Sequence, residues 1–155
     1  MKKLMIISGS MRLLKEPEEP IPAIQRFDGV FVRLVRKYSK KLRDIDIYIL
    51  SPIYGLVKAE EKINYKEPIG GNWYKFRINN NEIPKLRDSS LSTLKIMMTK
   101  QQCNEIYINV GKNMLKIIEG FEKLVPNDTK VIYAQGCGIG PKMAHMKKWL
   151  ESNVT

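Results

Sequence analysis

The stretch KLMIISG, residues 3–9, places a run of apolar side chains directly before a glycine. A short continuous apolar run that ends at a turn residue is typical of a strand buried on both faces of a sheet. We therefore predict a strand at residues 3–8. Similar runs predict three further strands, at residues 45–50, 105–110 and 130–134.

Segments with helical periodicity lie between these strands. In residues 27–43 the apolar side chains recur at helical spacing, and the other positions carry mostly Arg and Lys. Further helices are predicted at residues 91–102, 112–124 and 141–152, and either Asp88 or Ser89 could cap the first of them. Strands that alternate with helices indicate βαβ units. The predicted fold class is therefore α/β, a three-layer sandwich with a four-stranded, mainly parallel sheet and helices on both faces.

The chain of 155 residues suits a single domain, residues 1–155. One long irregular excursion interrupts it at about residues 52–86, with a hairpin predicted at residues 73–83. Excursions of this length in a small domain are often functional.

The composition favours a globular protein with a polyanionic partner. Hydrophobic residues make up 43% and charged residues 28%, and the formal net charge is +11. Such a charge suits nucleic acid or nucleotides, although a solvated lysine-rich surface is the alternative. No apolar run is long enough to cross a bilayer, so we expect a cytoplasmic protein without a membrane partner. Two distant cysteines and one histidine predict no metal site, and no cofactor is predicted.

The carboxyl ends of parallel strands are where open α/β sheets bind ligands. Four loops qualify, at residues 8–12, 51–55, 110–112 and 136–140. The candidate ligand- or phosphate-binding residues in and beside them are Gly9, Ser10, Arg12, Ser51, Tyr54, Gly55, Gly136, Gly138, Gly140 and Lys142.

The glycine-rich turn GCGIG, residues 136–140, precedes the last predicted helix. Glycines let backbone amides converge on an anion, and a helix N-terminus adds partial positive charge, to which Lys142 adds a full one. The alternative is a tight turn that needs glycine only for its own geometry.

Two side chains in the other loops are the candidates for catalysis. Ser10 could donate a hydrogen bond or act as a nucleophile, although no histidine partner is recognisable. Tyr54 could stack on a base, or it could instead pack beneath the long excursion.

A basic helix face is the candidate nucleic-acid contact. Its residues are Arg33, Arg36, Lys37, Lys40 and Lys41. Together with Trp73, Tyr74 and Lys75 of the excursion, they could follow a phosphate backbone, or they could form an ordinary solvated face.

The order of several motifs carries a resemblance. PA at residues 22–23, FDGVF at 27–31, ILSPIYGLV at 49–57 and GCGIG at 136–140 follow one another along the chain. This order resembles a family of small uncharacterised bacterial, archaeal and phage proteins distantly related to the YaaA peroxide-stress proteins. The resemblance implies a four-stranded parallel sheet like that of uracil-DNA glycosylases and a link to nucleobase or DNA metabolism.

The chain departs from that family after the first strand. Proteins of the family typically carry Cys-Ser-x-x-Lys there. In this chain Gly9 replaces the cysteine, Ser10 matches the serine, and the lysine has only Arg12 nearby. An activity that needs that lysine would be lost or altered here.

Three functional hypotheses follow. The leading one is a nucleic-acid- or nucleotide-associated protein that processes nucleobases by N-glycosidic cleavage or transfer, as in DNA repair or modification. The second is a non-catalytic nucleic-acid-binding module. The third is a small-molecule enzyme that acts on a nucleotide or flavin.

Overall fold

The computed structural model describes residues 2–9, 12–66 and 83–154. In chain order the elements are β1 (Lys2–Ser8), β2 (Ile21–Pro22), α1 (Ala23–Arg26), α2 (Val30–Tyr38), β3 (Ile45–Ser51), β4 (Gly55–Lys58), β5 (Lys62–Ile63), α3 (Ile83–Lys100), β6 (Cys103–Asn109), α4 (Lys112–Leu115), β7 (Lys130–Tyr133) and α5 (Ile139–Ser152). Two 3₁₀ turns, Lys116–Ile118 and Phe121–Leu124, lie between α4 and β7. The hairpin predicted at residues 73–83 falls almost entirely outside the described residues.

The central sheet has five strands in the order β4-β3-β1-β6-β7. Strands β3, β1, β6 and β7 pair in parallel, which confirms the mainly parallel α/β architecture. The predicted count of four strands was one too few, because β4 adds an antiparallel strand at the edge. A tight turn after Ser51 lets the chain fold back, and Gly55 begins β4 with a left-handed φ of 74°.

Successive side chains of each strand point to opposite faces of the sheet and pack into two separate hydrophobic cores. Met5 and Ile7 of β1 pack on the face that α2 and α5 cover, with Val35 and Leu150 among their neighbours. Leu4 and Ile6 of β1 face α3 and the 3₁₀ turns. Because both faces are apolar, β1 reads as a continuous hydrophobic run. Burying each such side chain stabilises the fold by about 1.5–3 kcal/mol.

Helix boundaries differ from the sequence prediction in three places. The helix predicted at residues 27–43 is confined to α2, because Phe27 is extended and ends the short helix α1. Helix α3 begins at Ile83, upstream of the expected caps, since a proline is tolerated in a first turn. The helix predicted at 112–124 is reduced to α4 and two 3₁₀ turns, which are separated at Gly120, whose φ is 91°.

One buried hydroxyl lies between α3 and β4. Ser90 is 1% exposed, and among the described residues its Oγ has no hydrogen-bond partner. An unsatisfied buried polar group costs about 1–3 kcal/mol. Its replacement therefore offers a direct test of this packing.

The substitution Ser90→Ala is expected to raise the free energy of unfolding by about 1 kcal/mol. Urea denaturation followed by circular dichroism would measure it. Ser92→Ala is the matched control, because Ser92 is exposed on the same helix and its loss should change little. A lower urea midpoint for Ser90→Ala than for the wild type would contradict the prediction.

Within the described residues, no helix is long and apolar enough to cross a membrane.

Candidate functional site

The carboxyl edge of the sheet gathers the loops that the sequence singled out. Strands β1, β3, β6 and β7 are parallel, so they all end at this edge. The backbone N–H of Gly111 donates to Ser8 Oγ at 3.1 Å and joins the loops after β6 and β1. At the opposite edge, the hydroxyl of Tyr38 donates to Glu151 Oε1 at 3.0 Å, which ties together the ends of α2 and α5. The first turns of both helices therefore lie at the carboxyl edge.

The structure gives Gly9 a packing role. Its N–H donates to the carbonyl of Leu50 at 2.8 Å and continues the pairing beyond β1. A Cβ at this position would lie 2.6 Å from Phe27 Cε1 and 2.9 Å from Ile49 Cγ2. Glycine is therefore needed for the close approach of Phe27, whether or not a ligand is bound.

Ser51 and Tyr54 point into the protein. Ser51 is fully buried, and its Oγ accepts hydrogen bonds from the backbone N–H groups of Ile53 and Tyr54, at 3.0 and 3.4 Å. The Tyr54 hydroxyl donates to the carbonyl of Asn64, and its ring packs edge-on against Phe27 with centroids 5.8 Å apart. These contacts pack the partly buried Tyr54 against Phe27 and against Asn64 of the excursion. The neighbouring Gly55 serves the hairpin through its positive φ.

The glycine turn remains open to solvent. Gly136 has a φ of 124°, and a Cβ there would lie 2.4 Å from Pro141 Cβ, so this glycine is required by the turn itself. A Cβ at Gly138 or Gly140 would meet nothing within 4 Å. Lys142 follows in the first turn of α5 and is half-buried. Turn geometry thus accounts for Gly136 and for Gly138, whose φ is 85°, and only Gly140 carries no such requirement.

Three arginines converge on one carboxylate beside the start of α2. Asp28 accepts two hydrogen bonds from Arg33, from Nε at 2.9 Å and from Nη2 at 2.7 Å. Arg12 Nε lies 3.6 Å from Asp28 Oδ2, and Arg36 Nη1 lies 4.0 Å from Oδ1. From the sequence, Arg12 is a candidate phosphate-binding residue and Arg33 a candidate nucleic-acid contact, and the fold brings the two together. We call Arg12, Asp28, Arg33 and Arg36 the arginine cluster.

The arginines keep Asp28 ionised. The hydrogen bond from Arg33 lowers the pKa of Asp28, partial burial opposes this, and the charges of Arg33, Arg12 and Arg36 lower it further. The balance lies below the ordinary value for an aspartate. At neutral pH the cluster therefore holds three positive charges and one negative charge.

A buried arginine, Arg26, positions the segment that carries Arg12. It is 0% exposed, and its guanidinium donates to the carbonyls of Leu14, Pro17 and Glu19 at 2.8 to 2.9 Å. It also reaches the carbonyl of Ile63 at 3.4 Å. In the sequence Arg26 is an isolated cation, and no signal there distinguishes it from a surface residue.

The backbone completes this arrangement. The Asp28 N–H donates to the Arg12 carbonyl at 2.9 Å, and the Leu14 N–H donates to the Arg26 carbonyl at 2.9 Å. Arg12 is therefore held beside Asp28 by main-chain bonds as well as by charge.

The remaining basic residues of the predicted contact surface are exposed. Lys37 lies in the last turn of α2, and Lys40 and Lys41 follow its end. They extend the positive surface away from the arginine cluster, to the end of α2 and just beyond it. Ser10 and the predicted contacts Trp73, Tyr74 and Lys75 lie outside the described residues.

Polar side chains that sequence reasoning did not select as candidates lie in and beneath α5. Tyr107 is fully buried, and its hydroxyl lies 2.7 Å from His145 Nδ1. Burial raises the pKa of Tyr107, so the phenol stays protonated beside the imidazole of His145. Asn109, 3% exposed at the end of β6, donates from Nδ2 to Met146 Sδ at 3.3 Å. His145 is thus tied to the core.

No metal centre emerges from the part of the chain that is described, where no group of three or more His, Cys, Asp or Glu side chains could hold an ion.

Comparison with known proteins supports the fold and nothing finer. No family model matches the chain, and no curated protein matches it. The chain shares its fold with AF0587. That solved protein, itself of unknown function, superposes with a TM-score of 0.54 at 15% identity. The match covers 96% of this chain and 44% of AF0587, so this chain spans less than half of that protein's length.

Proposed function

We propose that the protein binds nucleic acid through the arginine cluster and the exposed lysines Lys37, Lys40 and Lys41 at and just beyond the end of α2. The observation that carries this proposal is the convergence of Arg12, Arg33 and Arg36 on the single carboxylate of Asp28. On a chain with a formal net charge of +11, this cluster is a local concentration of guanidinium groups at the edge where α/β sheets bind ligands.

The chemistry of the cluster suits phosphate. A guanidinium presents a planar fork of N–H donors that matches phosphate oxygens, and it remains charged at all physiological pH values. The side chains of Arg12, Arg33 and Arg36 are 74%, 46% and 36% exposed, so their donors are accessible to a ligand. Phosphate contacts of this kind supply most of the sequence-independent affinity for nucleic acid.

The proposal does not include N-glycosidic cleavage or transfer. Of the two catalytic candidates, Tyr54 is engaged with Asn64 and Phe27, and Ser10 lies outside the described residues. Binding therefore rests on described contacts, whereas base processing rests on the family resemblance alone.

The substitution Arg33→Gln is expected to weaken binding about tenfold at 0.1 M salt, since one phosphate contact contributes roughly one unit to the slope of log K against log salt concentration. Fluorescence anisotropy with labelled single- and double-stranded DNA and RNA across a salt series would measure both quantities. The slope should become shallower by about one unit.

Lys95→Gln provides the matched control. Lys95 is exposed on α3, on the opposite face of the sheet, and its loss removes the same formal charge. An equal loss of affinity in both variants would show that the change in net charge, and not the arginine cluster, causes the weaker binding. Absence of saturable binding at low salt would overturn the proposed function.

A further inference from the structure

We propose that the arginine cluster is a site for a phosphate monoester, such as the phosphorylated end of a nucleic-acid strand. This inference rests on the proposed function and names the group that the cluster selects. The starting point is charge, because the three guanidinium groups and the one carboxylate carry a formal charge of +2. A terminal phosphate carries about −1.5 to −2 at pH 7, whereas each internal phosphodiester carries only one negative charge.

The geometry places the three guanidinium groups around one point. Asp28 Oδ2 lies 2.7 Å from Arg33 Nη2 and 3.6 Å from Arg12 Nε. The other oxygen, Oδ1, lies 2.9 Å from Arg33 Nε and 4.0 Å from Arg36 Nη1. The carboxylate of Asp28 thus holds the three guanidinium groups beside one another. A monoester has three terminal oxygens to offer three guanidinium groups, and a diester has two.

Donors remain for a ligand even while Asp28 is in place. Arg33 bonds Asp28 through Nε and Nη2, so Nη1 is not engaged by Asp28, and the side chain is 46% exposed. Arg36 donates from Nε to the carbonyl of Ile24 at 3.0 Å and from Nη2 to that of Phe27 at 2.7 Å. Its remaining nitrogen, Nη1, is the one that lies 4.0 Å from Asp28 Oδ1. A phosphate could therefore join the cluster without displacing the carboxylate.

The cluster is also preorganised. The two carbonyl contacts fix Arg36, and the bond from Asp28 N–H to the Arg12 carbonyl fixes the backbone of Arg12. A ligand that meets fixed side chains loses less affinity to the ordering of those side chains. Gly29, the N-cap of α2, supplies no side chain to satisfy the first-turn amides, which adds favourable partial charge at the same end.

The test compares two oligonucleotides of identical sequence, one with a 5′-phosphate and one with a 5′-hydroxyl, together with a 3′-phosphate version. Anisotropy with the full chain is expected to show about tenfold tighter binding of a phosphorylated end at 0.1 M salt, the effect of one additional neutralised charge. Arg33→Gln should abolish this preference. Lys40→Gln, which removes an exposed cation beyond the end of α2, should weaken all the oligonucleotides and leave the ratio unchanged.

The outcomes separate this inference from the function on which it rests. Equal affinity for phosphorylated and hydroxyl ends overturns the monoester site and leaves nucleic-acid binding standing, as does a preference that survives Arg33→Gln. No binding of any oligonucleotide overturns the proposed function. Phosphate-selective binding of a free nucleoside monophosphate, lost in Arg33→Gln, would then still support a monoester site, with the free nucleotide as its source.

Discussion

Replacing Arg26 by methionine is expected to lower the free energy of unfolding by about 3 kcal/mol, because an unsatisfied buried acceptor costs about 1–3 kcal/mol and four carbonyls lose their donor. The carbonyl of Ile63 is the most buried of the four. Those of Leu14, Pro17 and Glu19 lie nearer to solvent, so water would replace part of their bonding. Methionine keeps the apolar volume of the stem, which confines the effect to the lost hydrogen bonds.

Urea denaturation would measure the change, and limited proteolysis would locate it. Cleavage within residues 13–20 should become faster, because Arg26 connects this segment to β5. The exposed Arg43 offers a control, since Arg43→Met should stay within about 0.5 kcal/mol of the wild type. If the two variants unfolded at the same urea concentration, the assigned role of Arg26 would be wrong.

Loss of Arg26 should also weaken nucleic-acid binding, although the residue is buried. Its guanidinium holds the carbonyl of Leu14, two residues after Arg12. A mobile segment would separate Arg12 from Asp28 and reduce the convergence of charge in the arginine cluster.

Gly9→Ala is expected to destabilise the protein by about 1–3 kcal/mol, the usual cost of adding a methyl group to a filled core. The new Cβ would lie 2.6 Å from Phe27 Cε1 and 2.9 Å from Ile49 Cγ2, closer than side-chain carbons approach. Phe27 is itself fully buried and cannot move into solvent without cost. A cysteine at this position would meet the same contacts.

Gly111→Ala supplies a matched comparison within the same edge of the sheet. A Cβ at Gly111 would meet nothing within 4 Å, and its φ is −65°, so its stability should change by less than about 0.5 kcal/mol. Combining Gly9→Ala with Phe27→Leu should cost less than the sum of the two changes, because the smaller side chain relieves the clash. Additive losses would show that the contact with Phe27 is not the cause.

The sequence predicted the inner parallel strands β1, β3 and β6 well because each has a run of side chains buried within the sheet's two cores. Strand β1 and its neighbour β3 appear as continuous apolar runs, a signal that needs no knowledge of the partner. Strand β4 has only four residues, and its strand character depends on the hairpin that lays it against β3. A segment of that length has no periodicity to distinguish it from a loop.

The candidate site was predicted only in outline. Parallel strands end together, so the carboxyl edge followed from the element order. The directions of Ser51 and Tyr54 did not follow, because a polar side chain in a loop can turn outward or satisfy its own turn. Here Ser51 accepts the amides of the hairpin, and Tyr54 reaches the carbonyl of Asn64.

The amino-acid sequence by itself determined the α/β class, the order of the parallel strands along the chain and the excess of positive charge. The first two properties follow from local apolar runs and helical periodicity, and the third follows from composition. Only the tertiary structure decided that Arg12 meets Arg33 at Asp28, that Arg26 is buried and that Gly9 packs against Phe27. Each of those contacts joins separate segments of the chain, and their distances depend on how α1 and α2 dock on the sheet rather than on any local pattern.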